Sequence, residues 1–391
     1  VLAQGAFERP LVFPNNDRPG VMLASAVSNY INRYGVLPGK NPILFTNNDS
    51  AYQAAIDMKI AGAKSVLVVD SRSEQPSDMV DEARNNGIEL QFDAVIRNVI
   101  GHTKVKGVEI STYDSGSNTC AAQATKRTCD LLIYSGGWSP AVHLHSQSGG
   151  INKWDDNRHC FVPHTTKQAS FSIGSCNGTW SLEDCLKEGI ACGRDVAGSL
   201  NLKVNDINLP ITKKIKLNPM MPLWQVIAEN SVENLPKQFL DYQNDTTVSD
   251  IYLAVREGYT GIEHVKRYTA LGFGTDQGKL GNINGMAILA IALGKPIAEI
   301  GTTTFRPAYT PVSFGVCAGE DIGEMFEPTR KTAIHDFHTE SKAPFEIVGQ
   351  WLRPWYFPKD DEDMSSAVIR ECLATRSSLG IMDASTLGKI D

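Results

Sequence analysis

Three short stretches carry residue types and spacings with chemical potential: TNNDS at 46–50, IGSCNG at 173–178 and GFGTDQGK at 272–279. Each is a polar or glycine-bearing turn beside apolar runs, and each poses the question of a bound anion. A pyrophosphate settles at a helix N-terminus because free N–H groups and the helix dipole attract it, and glycines let the backbone come close. TNNDS stands where a dinucleotide-binding β-α-β unit would carry G-x-G-x-x-G. It has no glycine, and the Asp49 carboxylate would repel a phosphate. The residues therefore favour an ordinary helix start, with Asp49 or Ser50 as the cap. Asp70, 21 residues further on, sits near the place of a ribose-binding acid, but without a glycine loop ahead of it.

IGSCNG is the better ligand candidate. Gly174 and Gly178 permit a close backbone approach, and a helix starting near Ser181 aims its N-terminus at the same edge. That arrangement suits a phosphate or a ribityl chain, and it equally suits a plain strand-turn-helix connection. The candidate cofactor-binding residues here are Gly174, Ser175, Asn177, Gly178 and Leu182. In GFGTDQGK the turns supply N–H donors and the lysine supplies charge. Thr275, Asp276, Gln277 and Lys279 are the candidates. Leu280 follows the lysine, so the stretch departs from G-x-x-x-x-G-K-[ST] and a nucleoside-triphosphatase reading fails.

No nucleophile and base announce themselves, and no catalytic residue is assigned. His335 and His338, three apart in IHDFH, would share a helix face, but no further ligand cluster accompanies them; capping and surface roles are favoured over metal binding. The eight cysteines, at 120, 129, 160, 176, 185, 192, 317 and 372, include no C-x-x-C pair. This argues against a zinc or iron-sulfur cradle, and Cys176, Cys185 and Cys192 read as small buried helix residues. KDDEDM at 359–364 reads as a solvated turn before a helix.

The elements that must position these stretches follow from punctuation and period. PILFT, a helix-like run and SVLVVD outline a β-α-β unit, preceded by a helix-like run from Met22 to Tyr34. Short alternating strands fill 88–113. LLIYSGGWSP is a buried strand entering a tight turn, and a long amphipathic helix begins near Ser181. From Asn201 a basic, proline-rich connector leads to a region of helical periods broken by glycine clusters. GTTTFRPAYTPV is a second connector, and a last module begins near Phe326.

A chain of 391 residues implies two or three domains. Its net charge of −7 offers no basic face for nucleic acid. MAILAIALG is far shorter than a membrane span, which takes roughly 20 apolar residues, and with no signal-peptide pattern the expected location is the cytoplasm. The opening VLAQGAFERP and the closing LGKID both look like strand interiors, so the sequence reads as a fragment of a longer polypeptide.

VLAQGAFERPLVFPNNDRPGVMLASA, EHVKRYTALGFGTDQGK, GTTTFRPAYTPV and GQWLRPWYFP together resemble the α subunit of heterotetrameric sarcosine oxidase, over nearly the whole chain. The resemblance implies an α/β fold: a glutathione-reductase-like dinucleotide-binding domain with a nested Rossmann-like domain, then a mostly helical middle region and the start of an α+β aminomethyltransferase fold. It implies the end of the first part of the outer domain at 1–35, the nested domain without its glycine fingerprint at 36–115, and the return of the outer domain at 116–205. Connector and middle region follow at 206–325, and the N-terminal part of the folate-binding domain at 326–391. VLAQGA would be the outbound crossing and LLIYSGGWSP the return.

In such complexes a flavin (FAD) of the β subunit oxidises sarcosine, electrons pass through FMN at the α/β interface to oxygen, and the one-carbon unit is captured on tetrahydrofolate in the α subunit. The resemblance thus implies NAD at the outer site, near IGSCNG. It implies FMN near Thr275, Asp276, Gln277 and Lys279, a tetrahydrofolate site mostly beyond Asp391, and β, γ and δ subunits as partners. The corresponding subunit of N-methylglutamate dehydrogenase, another N-methyl amino acid oxidase and a ligand-free scaffold remain alternatives.

Overall fold

The computed structural model describes residues 1–205, 207–227, 236–308, 310–320, 323 and 327–388. They form two compact units, Val1–Pro311 and Val312–Asp391. The domain boundaries expected at 205/206 and 325/326 fall on or beside residues outside this description, as does most of the closing LGKID.

In the first unit, β1 (Ala6–Glu8) leads to β2 (Val21–Leu23), α1 (Ala24–Tyr34), β3 (Pro42–Thr46), α2 (Tyr52–Ile60), β4 (Leu67–Asp70), α3 (Asp78–Asn85) and β5 (Glu89–Gln91). Four antiparallel strands follow, β6 (Ala94–Ile100), β7 (Gly107–Asp114), β8 (Thr119–Cys120) and β9 (Thr125–Thr128), before β10 (Leu131–Ser135) returns to the main sheet. That sheet is wholly parallel, in the order β2-β10-β3-β4-β5. PILFT, LVVD and LLIYS are buried throughout and apolar up to their last residues, Thr46, Asp70 and Ser135, because both faces are covered. Ile43, Phe45, Leu67, Val69, Leu132 and Tyr134 face the antiparallel layer. Leu44, Val68, Leu131 and Ile133 alternate toward α1, α2 and α3.

The β-α-β unit read from PILFT to SVLVVD is thus present, but its sheet reaches beyond the 36–115 span expected for it. Within LLIYSGGWSP, read as the return crossing, LLIYS is the strand paired with β3, and Met22 and Leu23, read as the start of a helix-like run, belong to the strand at the sheet's edge. The closing WSP of that stretch forms β11 (Trp138–Pro140), which pairs antiparallel with β1. Buried Arg9 ties the two together, donating to Ser139 Oγ and to the carbonyls of Trp138 and His159.

Beyond β11 come α4 (His143–Gln147), the hairpin β12 (Ile151–Asp155) and β13 (Cys160–Thr165), and α5 (Leu182–Ser199), which begins where expected and which Ser181 caps by accepting from Asp184 N. The middle region holds β14 (Phe239–Asp241), β15 (Thr246–Thr247), α6 (Val248–Arg256), α7 (Ile262–Thr269), α8 (Asn282–Leu293) and α9 (Ile297–Ile300). Its core gathers Leu240, Ile251, Val265, Leu271 and Ile288 around the nearly all-apolar α8. Among the described residues no helix is long and apolar enough to cross a membrane.

The second unit contains α10 (Phe314–Ala318), β16 (Arg330–Lys331), α11 (His335–Glu340), β17 (Phe345–Val348), β18 (Trp351–Pro354) and α12 (Met364–Ser377), with the three strands in the order β16-β18-β17. Asp363, from the acidic run, caps α12 by accepting from Ser366 N. His335 and His338 do not share a ligand: His335 stacks on Phe345, and buried His338 lies 2.9 Å from Asp383. No metal-binding cluster occurs among the described residues.

Candidate dinucleotide site

The TNNDS turn is filled from within the chain. Asp49 is not a cap. Its carboxylate accepts from Arg72 Nη2 at 2.6 Å and from the backbone N–H of Asn218 at 2.7 Å. Asp70 is likewise occupied, accepting from Arg72 at 2.7 Å and from the Tyr52 hydroxyl at 2.9 Å. Asp49 and Asp70 are both buried, so a ribose or phosphate would have to displace a buried ion pair to reach them. The Asn48 amide turns inward to the Ser135 carbonyl.

The connector completes the seal. Asn47 Nδ2 donates to the Met221 carbonyl at 2.7 Å, Met221 N–H donates to the Asn47 carbonyl at 3.1 Å, and Arg72 Nη1 donates to the Pro219 carbonyl. Residues 218–221 therefore lie across the end of β3, against the turn where this fold class takes a pyrophosphate. The nested unit does not fit a dinucleotide.

The IGSCNG loop presents a different surface. Gly174–Asn177 form a 3₁₀ turn, and Ile173 N–H and Leu2 N–H lace the loop to the chain's first residues. From α5, Glu188 reaches back with one carboxylate oxygen on Gly174 N–H at 2.6 Å and the other on Thr179 Oγ1 at 2.7 Å. An anion is thus already seated on the loop's free donor. Asn177 Nδ2 points to the same carboxylate at 3.4 Å. Leu182 is exposed in the first turn of α5.

Ser175 opens on a cavity of about 600 Å³. Its other walls include Trp138, Trp180, Arg158, the outer side of the turn at Asn48, Asp49 and Ser50, and connector residues 217–220. Trp138 Nε1 donates to Ser50 Oγ at 2.8 Å, which fixes one indole between the two turns. The volume falls within the 300–1,000 Å³ typical of cofactor sites, with aromatic walls and a few convergent polar groups. Trp138, Trp180 and Arg158 were not among the candidates from sequence. The indoles stand inside or beside the quoted motifs, SGGWSP and IGSCNGTW, whereas Arg158 gives no local signal.

The third stretch divides between two sides of one turn. Thr275 Oγ1 accepts from Gln243, whose carbonyl oxygen in turn accepts Asp276 N–H. Burial, with Asp241 nearby, pushes the Asp276 carboxyl up. Gln277 Oε1 accepts Arg306 N–H. Lys279 faces away from this group, its ammonium 5.9 Å from the Phe7 ring centroid, in a lining shared with His143 and Phe305. Burial and Lys279 depress the His143 imidazole to about 4. The four candidates do not converge on one cavity.

Comparison with known proteins matches two families: the sarcosine oxidase A3 domain over residues 235–320 and the GCVT N-terminal domain over 334–391. The sarcosine oxidase alpha subunit of Corynebacterium sp. (strain P-1) is 39% identical over 394 residues, covering 100% of this chain and 40% of that protein. That of Rhizobium meliloti is 38% identical over 393 residues, covering 100% and 38%. An opine oxidase subunit of Rhizobium meliloti is 20% identical, covering 84% of this chain and 76% of that protein. The chain therefore spans about 40% of the length of the sarcosine oxidase relatives it matches. Among solved structures, an L-proline dehydrogenase from P. horikoshii superposes with a TM-score of 0.56 at 19% identity, over 80% of this chain and 57% of that one. These matches establish a dinucleotide-binding α/β fold with a parallel sheet, followed by a GCVT N-terminal region.

Proposed function

For a chain homologous along its whole length to the α subunits of sarcosine oxidases, we propose a role as the α-subunit component of a complex that oxidatively demethylates sarcosine to glycine. Oxygen is reduced to hydrogen peroxide and the one-carbon unit passes to tetrahydrofolate. The observation that carries this reading is the match at 39% identity over the whole of this chain and 40% of the relative. The cavity at IGSCNG supports NAD as the resident dinucleotide. Ser175, Trp138, Trp180 and Arg158 would hold it through hydroxyl, ring and guanidinium contacts, and NAD would there supply a fixed aromatic and anionic body between the two turns. The nested turn contributes only its outer side to this cavity, because Arg72 and the connector occupy Asp49 and the interior of the turn. FMN at the turn of Thr275 to Lys279, tetrahydrofolate in the GCVT region, and partner β, γ and δ subunits carrying FAD belong to the same reading.

The match to the opine oxidase subunit favours one second reading, the equivalent component of an oxidase for another N-substituted amino acid. Co-expression of the full-length chain with its genomic neighbours, assayed for amine-dependent peroxide with and without tetrahydrofolate, separates the two. Sarcosine turnover with NAD released on denaturation supports the proposal. Turnover of other N-substituted amino acids alone, or a complex without NAD, sinks it.

A further inference from the structure

We propose that the pocket formed by Lys266, Arg267 and Arg306 beside the turn Gly272–Gly274 is a binding site for a phosphate group, drawn either from inorganic phosphate or from the phosphate monoester end of FMN. This goes beyond the reading above, in which the cation of the region was Lys279. That lysine belongs to the opposite side of the turn, over Phe7.

Lys266 is 6% exposed, its Nζ donates to the Thr304 carbonyl at 3.1 Å, and it lies 5.8 Å from the Phe273 ring centroid. Among the described residues, neither Lys266 nor Arg306 has a carboxylate within the 4 Å of an ion pair. Glu263, the one carboxylate in the pocket wall, is committed elsewhere: one oxygen takes Arg267 Nη1 at 3.0 Å and the other takes Thr304 N–H. Three cations of the pocket thus share one carboxylate, and two of them, Lys266 and Arg306, make no ion pair with it. A buried ammonium so placed is costly unless an anion joins it, and a single carbonyl satisfies one of its three N–H donors. Burial lowers the Lys266 pKa, with Arg306 and Arg267 pushing the same way against Glu263, which is the direction expected of a cation missing its anion.

Size narrows the ligand. The pocket encloses about 160 Å³, too little for a ring system, since sites for drug-sized ligands run from roughly 300 Å³ upward. It suits one compact anion, and two positive side chains with a third held by Glu263 match a phosphate dianion.

The test uses the full-length chain freed of flavin, in chloride buffer of fixed ionic strength. Calorimetric titration with inorganic phosphate is expected to show binding that Arg306→Ala and, separately, Lys266→Met each weaken roughly ten-fold. Arg306 is exposed, so its variant keeps the fold even where Lys266→Met does not; thermal midpoints in chloride check this. Absence of phosphate binding by the wild type, or equal affinity in the wild type and Arg306→Ala, overturns the proposal. FMN bound more tightly than riboflavin, with the difference lost in Arg306→Ala, supports it with FMN as the source. Phosphate binding with equal FMN and riboflavin affinities supports it with free phosphate. Failure of the sarcosine oxidase reading would show as missing peroxide formation and would leave this titration unchanged.

Discussion

Arg72 Nη2 lies 2.6 Å from the Asp49 carboxylate inside the fold, where a dinucleotide turn would present bare backbone. The same guanidinium holds Asp70 at 2.7 Å. Removing it by Arg72→Met strands two buried carboxylates, and breaking a buried pair in this way costs about 3–5 kcal/mol. Asp49→Asn should cost less, because Arg72 keeps Asp70. Urea unfolding of both variants checks the order; an equal loss would mean that Asp49 and Asp70 do not share the arginine.

Gly278 and Gly294 both have positive φ, 73° and 62°. A Cβ at Gly278 would overlap the Asn282 side chain, which donates to buried Thr303, whereas a Cβ at Gly294 meets nothing. Gly294→Ala is expected to cost only the left-handed strain, about 1–2 kcal/mol. Gly278→Ala should cost at least about 1 kcal/mol more through the lost buried hydrogen bond. Thermal midpoints of the two variants decide.

His143 provides a pH prediction. Its imidazole falls from 6.5 to about 4 in the fold, so the unfolded chain binds the proton more readily. Its contribution is complete above pH 6.5 and is lost as pH falls from about 6.5 toward about 4, up to about 3 kcal/mol. His143→Phe should flatten the difference between stability at pH 7 and at pH 4.5 relative to the wild type. An unchanged acid limb would show that the histidine is not the group responsible.

Trp138 and Trp180 border the cavity beside Ser175. NAD titrated into the full-length chain is expected to quench tryptophan emission, and Trp180→Ala to weaken its binding about ten-fold through the lost stacking area. Quenching of equal midpoint in the variant would place the dinucleotide elsewhere.

The apolar runs PILF, LVV and LLIY made the strands legible, because a strand covered on both faces leaves that pattern in any chain. The helix start near Ser181 and the helical middle region were legible for similar local reasons. The partner of β3 was not. LLIYS lies about ninety residues along the chain from PILFT, and which strand it joins depends on the antiparallel layer that intervenes. The same limit hid Arg72 and Asn218 as the partners of Asp49. A carboxylate just after a strand reads as a cap until a guanidinium 23 residues on, and a backbone N–H 169 residues on, compete for it and win by charge and burial.

By itself, the sequence determined that the turn after β3 lacks glycine and that glycine-bearing turns stand at 174–178 and 272–278. It also carried a resemblance specific enough to anticipate the family matches. Only the tertiary structure decided what those turns face. The connector closes the first, Glu188 and two indoles frame the second, and Lys266 and Arg306 border the third while Lys279 turns away. The physical reason is that hydrogen bonds and ion pairs are fixed by which groups meet after burial, and these groups are distant in sequence. Local spacing limits what a turn can offer, and long-range packing selects what it binds.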